Sequence, residues 1–149
     1  MKKIMAALLV LLVSGVMALA AQVPADGVYF ALGDSFDNGW KDAVTVVVKG
    51  GKISSVSWDG VNNLGVAGKK EYSSTGKYGM EKAAKQGAWH TQAAAVEAWV
   101  VKNQGVKEIK VNDKDATDAI TGATLKVKGF IATYQKALAS KAVAKGSFK

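Results

Sequence analysis

Residues 115 to 130 read "DATDAITGATLKVKGF" and group small side chains, hydroxyls and lysines in a way that bears on anion binding. Gly122 and Ala123 leave room for a group to approach the backbone, and Thr124 follows them with a hydroxyl. The apolar stripe that begins here predicts a helix with Thr124 near its first turn. The open amides of a first turn, aligned with the helix dipole, favour a negative group. Lys126 and Lys128 would add positive charge beside it, although that end of a helix ordinarily attracts acids. Asp118 stands earlier in the same stretch, where it could hold a cation or cap the turn. A phosphate near Thr124 satisfies all these features. So does a Thr or Asp cap on an amphipathic helix, and on these residues alone the cap has the stronger claim.

The rest of the chain narrows the chemistry by what it lacks. There is no cysteine, so no disulfide, no thiol nucleophile and no lipid attached through a thiol is expected. His90 is the single histidine, and without cysteine only hard carboxylate ligands remain, so no metal site is expected. The formal charge is +8. The lysines are scattered rather than clustered, and arginine, the usual reader of bases and phosphates, is absent. No nucleic-acid partner is expected.

The first residues have the form of an export signal. Lys2 and Lys3 precede the apolar run Ile4 to Val13, and small residues follow up to Ala20. The segment is short for a membrane span and carries small residues where cleavage would fall. The expected organisation is a signal peptide over 1–20 and one domain over 21–149, periplasmic or extracellular after cleavage, with no stable membrane anchor. Removal of Lys2 and Lys3 takes the basic count from 20 to 18 against 12 acidic residues, leaving +6.

Several elements must position the opening stretch. Val28, Phe30 and Leu32 alternate with Tyr29 and Ala31, which predicts a strand. Asn38-Gly39 marks a turn. Val44, Val46 and Val48 share one face of a second strand, and Gly50-Gly51 supplies a tight hairpin turn. Ile53, Val56 and Trp58 return along a third, with a spacing that predicts a bulge. Residues 60 to 88 read as an irregular binding loop, with Tyr72, Tyr78 and Met80 arguing against disorder. Trp89, Ala93, Val96 and Val100 recur at helical spacing, with Gly105 as the stop. "VKEIKV" reads as a short strand, and Val127, Phe130, Ile131, Tyr134 and Leu138 form the stripe of the second main helix. Trp40 and Trp99 read as packing residues, and the basic tail is expected to fray. The fold class is α+β: an antiparallel β-sheet packed with two main helices, with a long central loop.

The stretch "DAITGAT" resembles the flavinylation motif of the FMN-binding domain family, which includes flavoprotein subunits of sodium-pumping and Rnf-type redox complexes and small exported flavoproteins. The motif is Asp, two spacers, Ser or Thr, Gly, Ala, then Thr or Ser. Asp118, Thr121, Gly122, Ala123 and Thr124 match it in order. "DGVYFA", the hairpin "GWKDAVTVVVKGGKISSVSWDGVN" and "KYGM" before "WHTQAAAVEAWVVKNQ" extend the resemblance over residues 26 to 138. The resemblance implies that Thr124 carries FMN through a phosphoester. It also implies that the rest of the motif is recognised by a magnesium-dependent flavin transferase that uses FAD. Exported relatives are often lipoproteins and pump subunits keep an anchor, so this chain departs from both.

The expected function is that of an exported electron-transfer flavoprotein with covalent FMN, a redox carrier rather than an enzyme, working between redox donor and acceptor proteins. Lys126 and its neighbours would offset the phosphate charge. Trp58, Asp59, Tyr78, Met80, Trp89 and His90 flank the central segment and are candidates to contact the isoalloxazine ring, since aromatics and methionine suit a flat ring. Two alternatives are a module that binds FMN or another ligand non-covalently, and the electron-donor subunit of a flavin-dependent reductase.

Overall fold

Gly50 and Gly51 sit at φ +60° and +69° and turn the chain between two long strands. Two consecutive left-handed residues make the tight hairpin turn whose twist matches its strands, and glycine enters it without strain. Both turn amides donate to Asp26, Gly50 N to Oδ2 at 2.7 Å and Gly51 N to Oδ1 at 3.0 Å. The Gly51 and Gly50 amides hold that carboxyl below its ordinary range.

The computed structural model describes residues 23–82 and 84–145, so the expected signal peptide lies outside the described residues. Strand β1 is Gly27–Leu32, β2 is Trp40–Lys49 and β3 is Lys52–Asn62. They form one antiparallel sheet in the order β1-β2-β3. The bulge falls where the sequence spacing placed it: Val47 pairs with Ser55 and Val48 with Ile53, leaving Ser54 as the extra residue. Asn38 and Gly39, at φ +49° and +81°, make a second two-residue turn closed by hydrogen bonds between Asp37 and Trp40. The tail does not fray before Ala144. Val28 donates to the Ala144 carbonyl and Val143 donates to that of Val28, so the segment pairs with the outer edge of β1.

The two main helices cover one face of the sheet. Helix α2, Trp89–Asn103, packs on β3, and α3, Lys128–Ala139, packs on β1 and β2. Tyr29 and Ala31 of β1, Val44, Val46 and Val48 of β2, and Ile53, Val56 and Trp58 of β3 meet Ala93, Val96, Val100, Phe130 and Tyr134 in the core. Each fully buried large side chain contributes about 1.5–3 kcal/mol relative to exposure. Phe30, Leu32 and Val61 are exposed. The register explains why: side chains alternate faces, so the Tyr29–Ala31 set turns inward and the Phe30–Leu32 set cannot.

Three expectations change. The segment read as wholly irregular contains α1, Lys69–Ser74, and a 3-10 turn at Met80–Lys82. Helix α1 has only six residues and is capped from outside, by Asp59 Oδ1 accepting from Lys70 N at 2.9 Å. "VKEIKV" is not a strand; Val106 and Ile109 are buried from a turn in which Ile109 N donates to Val106 O. Helix α3 starts at Lys128 rather than near Thr124, because the approach to it is irregular and bends at Leu125, with Ala123, Leu125 and Val127 buried and Thr124 and Lys126 exposed. The left-handed residue that ends α2 is Gln104, at φ +56°, one before Gly105. Its side chain accepts from Ile53 N and donates to Ile53 O, tying the helix end to β3.

Candidate functional site

Where α3 begins, a cleft of about 800 Å³ opens between the helix, the loop after β1 and the central segment. That is within the range of small-molecule and cofactor sites, roughly 300–1,000 Å³. Trp40, Trp58, Tyr78, Met80 and Trp89 line it at one end. The rings support one another. Trp58 meets Trp89 nearly edge-on at 5.3 Å and Phe130 at 4.7 Å, and Trp40 meets Tyr78 at 6.2 Å.

Backbone and carboxylates fix this end. The Trp58 amide donates to Glu97 Oε1 at 2.5 Å, and its indole N–H donates to Asp42 Oδ1 at 2.9 Å. Glu97 also pairs with Lys70 at 2.5 Å, so one carboxylate joins α2, β3 and α1. Gly129, in the first turn of α3, lies so close to Asp42 that a Cβ there would overlap its Oδ2. Lys69 projects into the recess, with Nζ 4.6 Å from the Trp89 ring, 5.1 Å from Tyr78 and 5.9 Å from Trp40. Burial pushes the Lys69 ammonium below the usual lysine range, although Asp42, Asp37 and Asp59 pull the other way. Burial likewise raises the Tyr78 phenol, helped by Asp37.

Thr124, Lys126 and Lys128 line the same cleft. Thr124 precedes the helix, so its amide is not one of a first turn's open donors. It donates instead to Gln92 Oε1 at 2.8 Å, and the Thr124 hydroxyl donates to the same oxygen at 3.1 Å. Gln92 is fully buried on α2, and its Nε2 donates to Gly87 O at 2.9 Å. The lysine at the helix start is matched by an acid: Lys128 pairs with Asp115 at 3.3 Å, and the Asp115 carbonyl accepts from Val127 N and Lys128 N. Lys136 pairs with Asp34 at the rim.

The remaining motif residues stand outside the cleft. Asp118 lines a second concavity with Glu108 and Lys110. Thr121 is exposed and Ala123 is buried. Gly122 adopts φ +84° in a turn closed by Ala123 N donating to Ile120 O, so its role here is the left-handed corner. Of the ring-contact candidates, Trp58, Tyr78, Met80 and Trp89 reach the cleft, whereas Asp59 and His90 do not. Asp59 is spent on capping α1, and His90 Nδ1 lies 2.9 Å from Ser73 Oγ. Trp40, read as a packing residue, is buried and also lines the cleft. Sequence reasoning missed Asp42, Lys69 and Gln92. Asp42 precedes the valine alternation on its inward face, a position from which the pleat could have placed it; Lys69 and Gln92 carry no comparable signal.

The comparisons agree with this geometry. A model of the FMN-binding domain matches residues 39–139, and the chain belongs to that family. Among curated proteins none matches this chain significantly. Among solved structures, the chain is similar to a protein from Clostridium thermocellum determined by solution NMR. The two are 45% identical with a TM-score of 0.62, over 84% of this chain and 100% of that one.

The residues present fit FMN. The aromatic recess offers flat apolar surfaces, while Lys69 and Asp42 offer polar partners for ring edges. Thr124 and Lys126 supply a hydroxyl and a cation where a phosphate would end. The chain is therefore an FMN-binding flavoprotein.

Proposed function

We propose that this protein is an exported electron carrier that holds FMN by a phosphoester to Thr124. One observation carries the reading: the exposed Thr124 hydroxyl lies at the cleft that Trp58, Tyr78 and Trp89 also line, oriented there by the buried Gln92 side chain. The flavin supplies one- or two-electron redox chemistry; the protein supplies position and electrostatics. Gln92 fixes the threonine, Lys126 offsets the phosphate charge, and the aromatic end excludes water from the ring. A covalent tether keeps the cofactor from being lost by dilution outside the cytoplasm.

The carrier reading names no substrate of its own. It requires a transferase to load FMN from FAD with magnesium, and donor and acceptor proteins to move electrons. The test is intact mass and peptide mapping of the protein from its native host. The expected result is a gain of one FMN less one water on the peptide holding Thr124, with the N-terminus at Ala21, and no gain in Thr124→Ala. An unmodified wild-type mass would replace this reading with a non-covalent FMN module.

A further inference from the structure

We propose that Lys69 sets the reduction potential of the bound flavin by placing a positive charge against its ring system. The proposal rests on FMN occupying this cleft. The chain builds a track for this side chain. A Cβ on Gly60 would stand 3.0 Å from Lys69 Cβ and 3.1 Å from Cδ, so the lysine stem crosses β3 where the strand has no side chain. The backbone at its base is also held, through Asp59 capping the adjacent Lys70 amide. The ammonium is thereby carried to the three rings at the end of the cleft rather than released to solvent.

Its charge is not already committed. Lys128 and Lys136 pair with Asp115 and Asp34, whereas Lys69 forms no ion pair among the described residues. Of the acids that act on it, Asp42, Asp37 and Asp59, the first accepts from the Trp58 indole and the last caps α1. Lys126 follows Thr124 and is placed for the phosphate. Two cations therefore serve two ends of one cofactor.

Uptake of two electrons from a reduced donor protein and one proton from solvent gives the neutral oxidised ring a net negative charge. Lys69 keeps its own proton throughout. A fixed ammonium in a poorly hydrated recess interacts with that charge more strongly than water does, and with the neutral ring less. The reduced state gains and the potential rises.

The test compares midpoint potentials, by spectroelectrochemistry, of the flavinylated wild type with Lys69→Met, Lys69→Gln and Lys69→Arg. Methionine and glutamine lower the potential by about 30 mV or more, a tenfold change in a two-electron equilibrium constant. Arginine keeps the charge and restores most of it, which a purely structural role for the stem would not require. Glutamine covers the case in which methionine disturbs packing. A second readout uses the apo proteins and free FMN, by quenching of tryptophan emission under anaerobic conditions. The preference for reduced over oxidised FMN falls about tenfold in Lys69→Gln, as linkage between binding and reduction demands. Unchanged potentials in flavinylated Lys69→Met and Lys69→Gln, or an arginine variant as low as the other two, overturn the proposal. Absence of flavin from the wild type overturns the functional reading instead.

Discussion

Gln92 Oε1 accepts from both the amide and the hydroxyl of Thr124, at 2.8 and 3.1 Å, across 32 residues of sequence. The contact joins the middle of the core to the threonine at the cleft. It also explains a buried glutamine: the oxygen serves Thr124 and the amide nitrogen serves Gly87, so its polar groups are satisfied.

Gln92→Leu removes both partners at once. The Thr124 amide and the Gly87 carbonyl, both only partly buried, lose their acceptor and donor, where a fully buried group left unsatisfied would cost about 1–3 kcal/mol. Because both are only partly shielded from water, denaturant unfolding is expected to show a loss in the lower part of the range for two such groups, about 2–4 kcal/mol. Co-expression with a flavin transferase should give a clearly lower fraction of flavinylated chain than wild type under conditions where the variant is folded. Full loading of Gln92→Leu would show that Thr124 needs no such support.

Much of the fold was legible because it depends on local signals. The Gly50-Gly51 and Asn38-Gly39 turns, the bulge after Ile53 and the α2 stripe all follow from residue types a few positions apart. What was not legible depends on partners distant in sequence. Helix α1 is capped by Asp59 of a strand, and Thr124 is held by Gln92 of a helix. The start of α3 was misplaced because Leu125 and Val127 alternate like a strand, while Val127 also begins the helical stripe. In the site, Trp58, Tyr78, Met80 and Trp89, singled out by residue type, all line the recess. His90 and Asp59, attractive by chemistry, were claimed by Ser73 and α1 instead.

Gly122 is expected to tolerate a side chain sterically but not conformationally. Nothing lies within 4 Å of a Cβ built there, yet its φ is +84°. Gly122→Ala should cost about 1–2 kcal/mol through the left-handed backbone alone. Gly122→Asn should cost less, because asparagine visits that region more readily. Paired denaturant titrations check the order. Equal losses for the two variants would mean that the corner is not the reason for glycine.

Gly129→Ala is expected to reverse the usual sign of a helix substitution. Replacing glycine inside a helix ordinarily stabilises by about 0.5–1 kcal/mol. Here the new methyl group would overlap Asp42 Oδ2, and the carboxylate must turn away from the Trp58 indole. A hydrogen bond to a charged group contributes about 1.5–3 kcal/mol, so a net destabilisation is expected. Trp58 emission should shift with it. A more stable Gly129→Ala protein with unchanged emission would show that Asp42 moves without consequence.

Tyr134 gives the fold an alkaline limit. Its side chain is buried among Phe130 and the sheet, and burial pushes the phenol from 10.0 up to about 12. The folded state therefore keeps a proton that the unfolded chain releases. Between these two values the unfolded state binds fewer protons, so stability falls as pH rises. The contribution is fully present below pH 10 and is lost through the window up to about 12. A shift of this size corresponds to about 3 kcal/mol. Tyr134→Phe keeps the ring and removes the titrating group, so its stability relative to wild type should improve steadily across that window. Denaturant midpoints of both proteins at pH 9, 10 and 11 would test this, and parallel curves would mean that Tyr134 does not govern the alkaline transition.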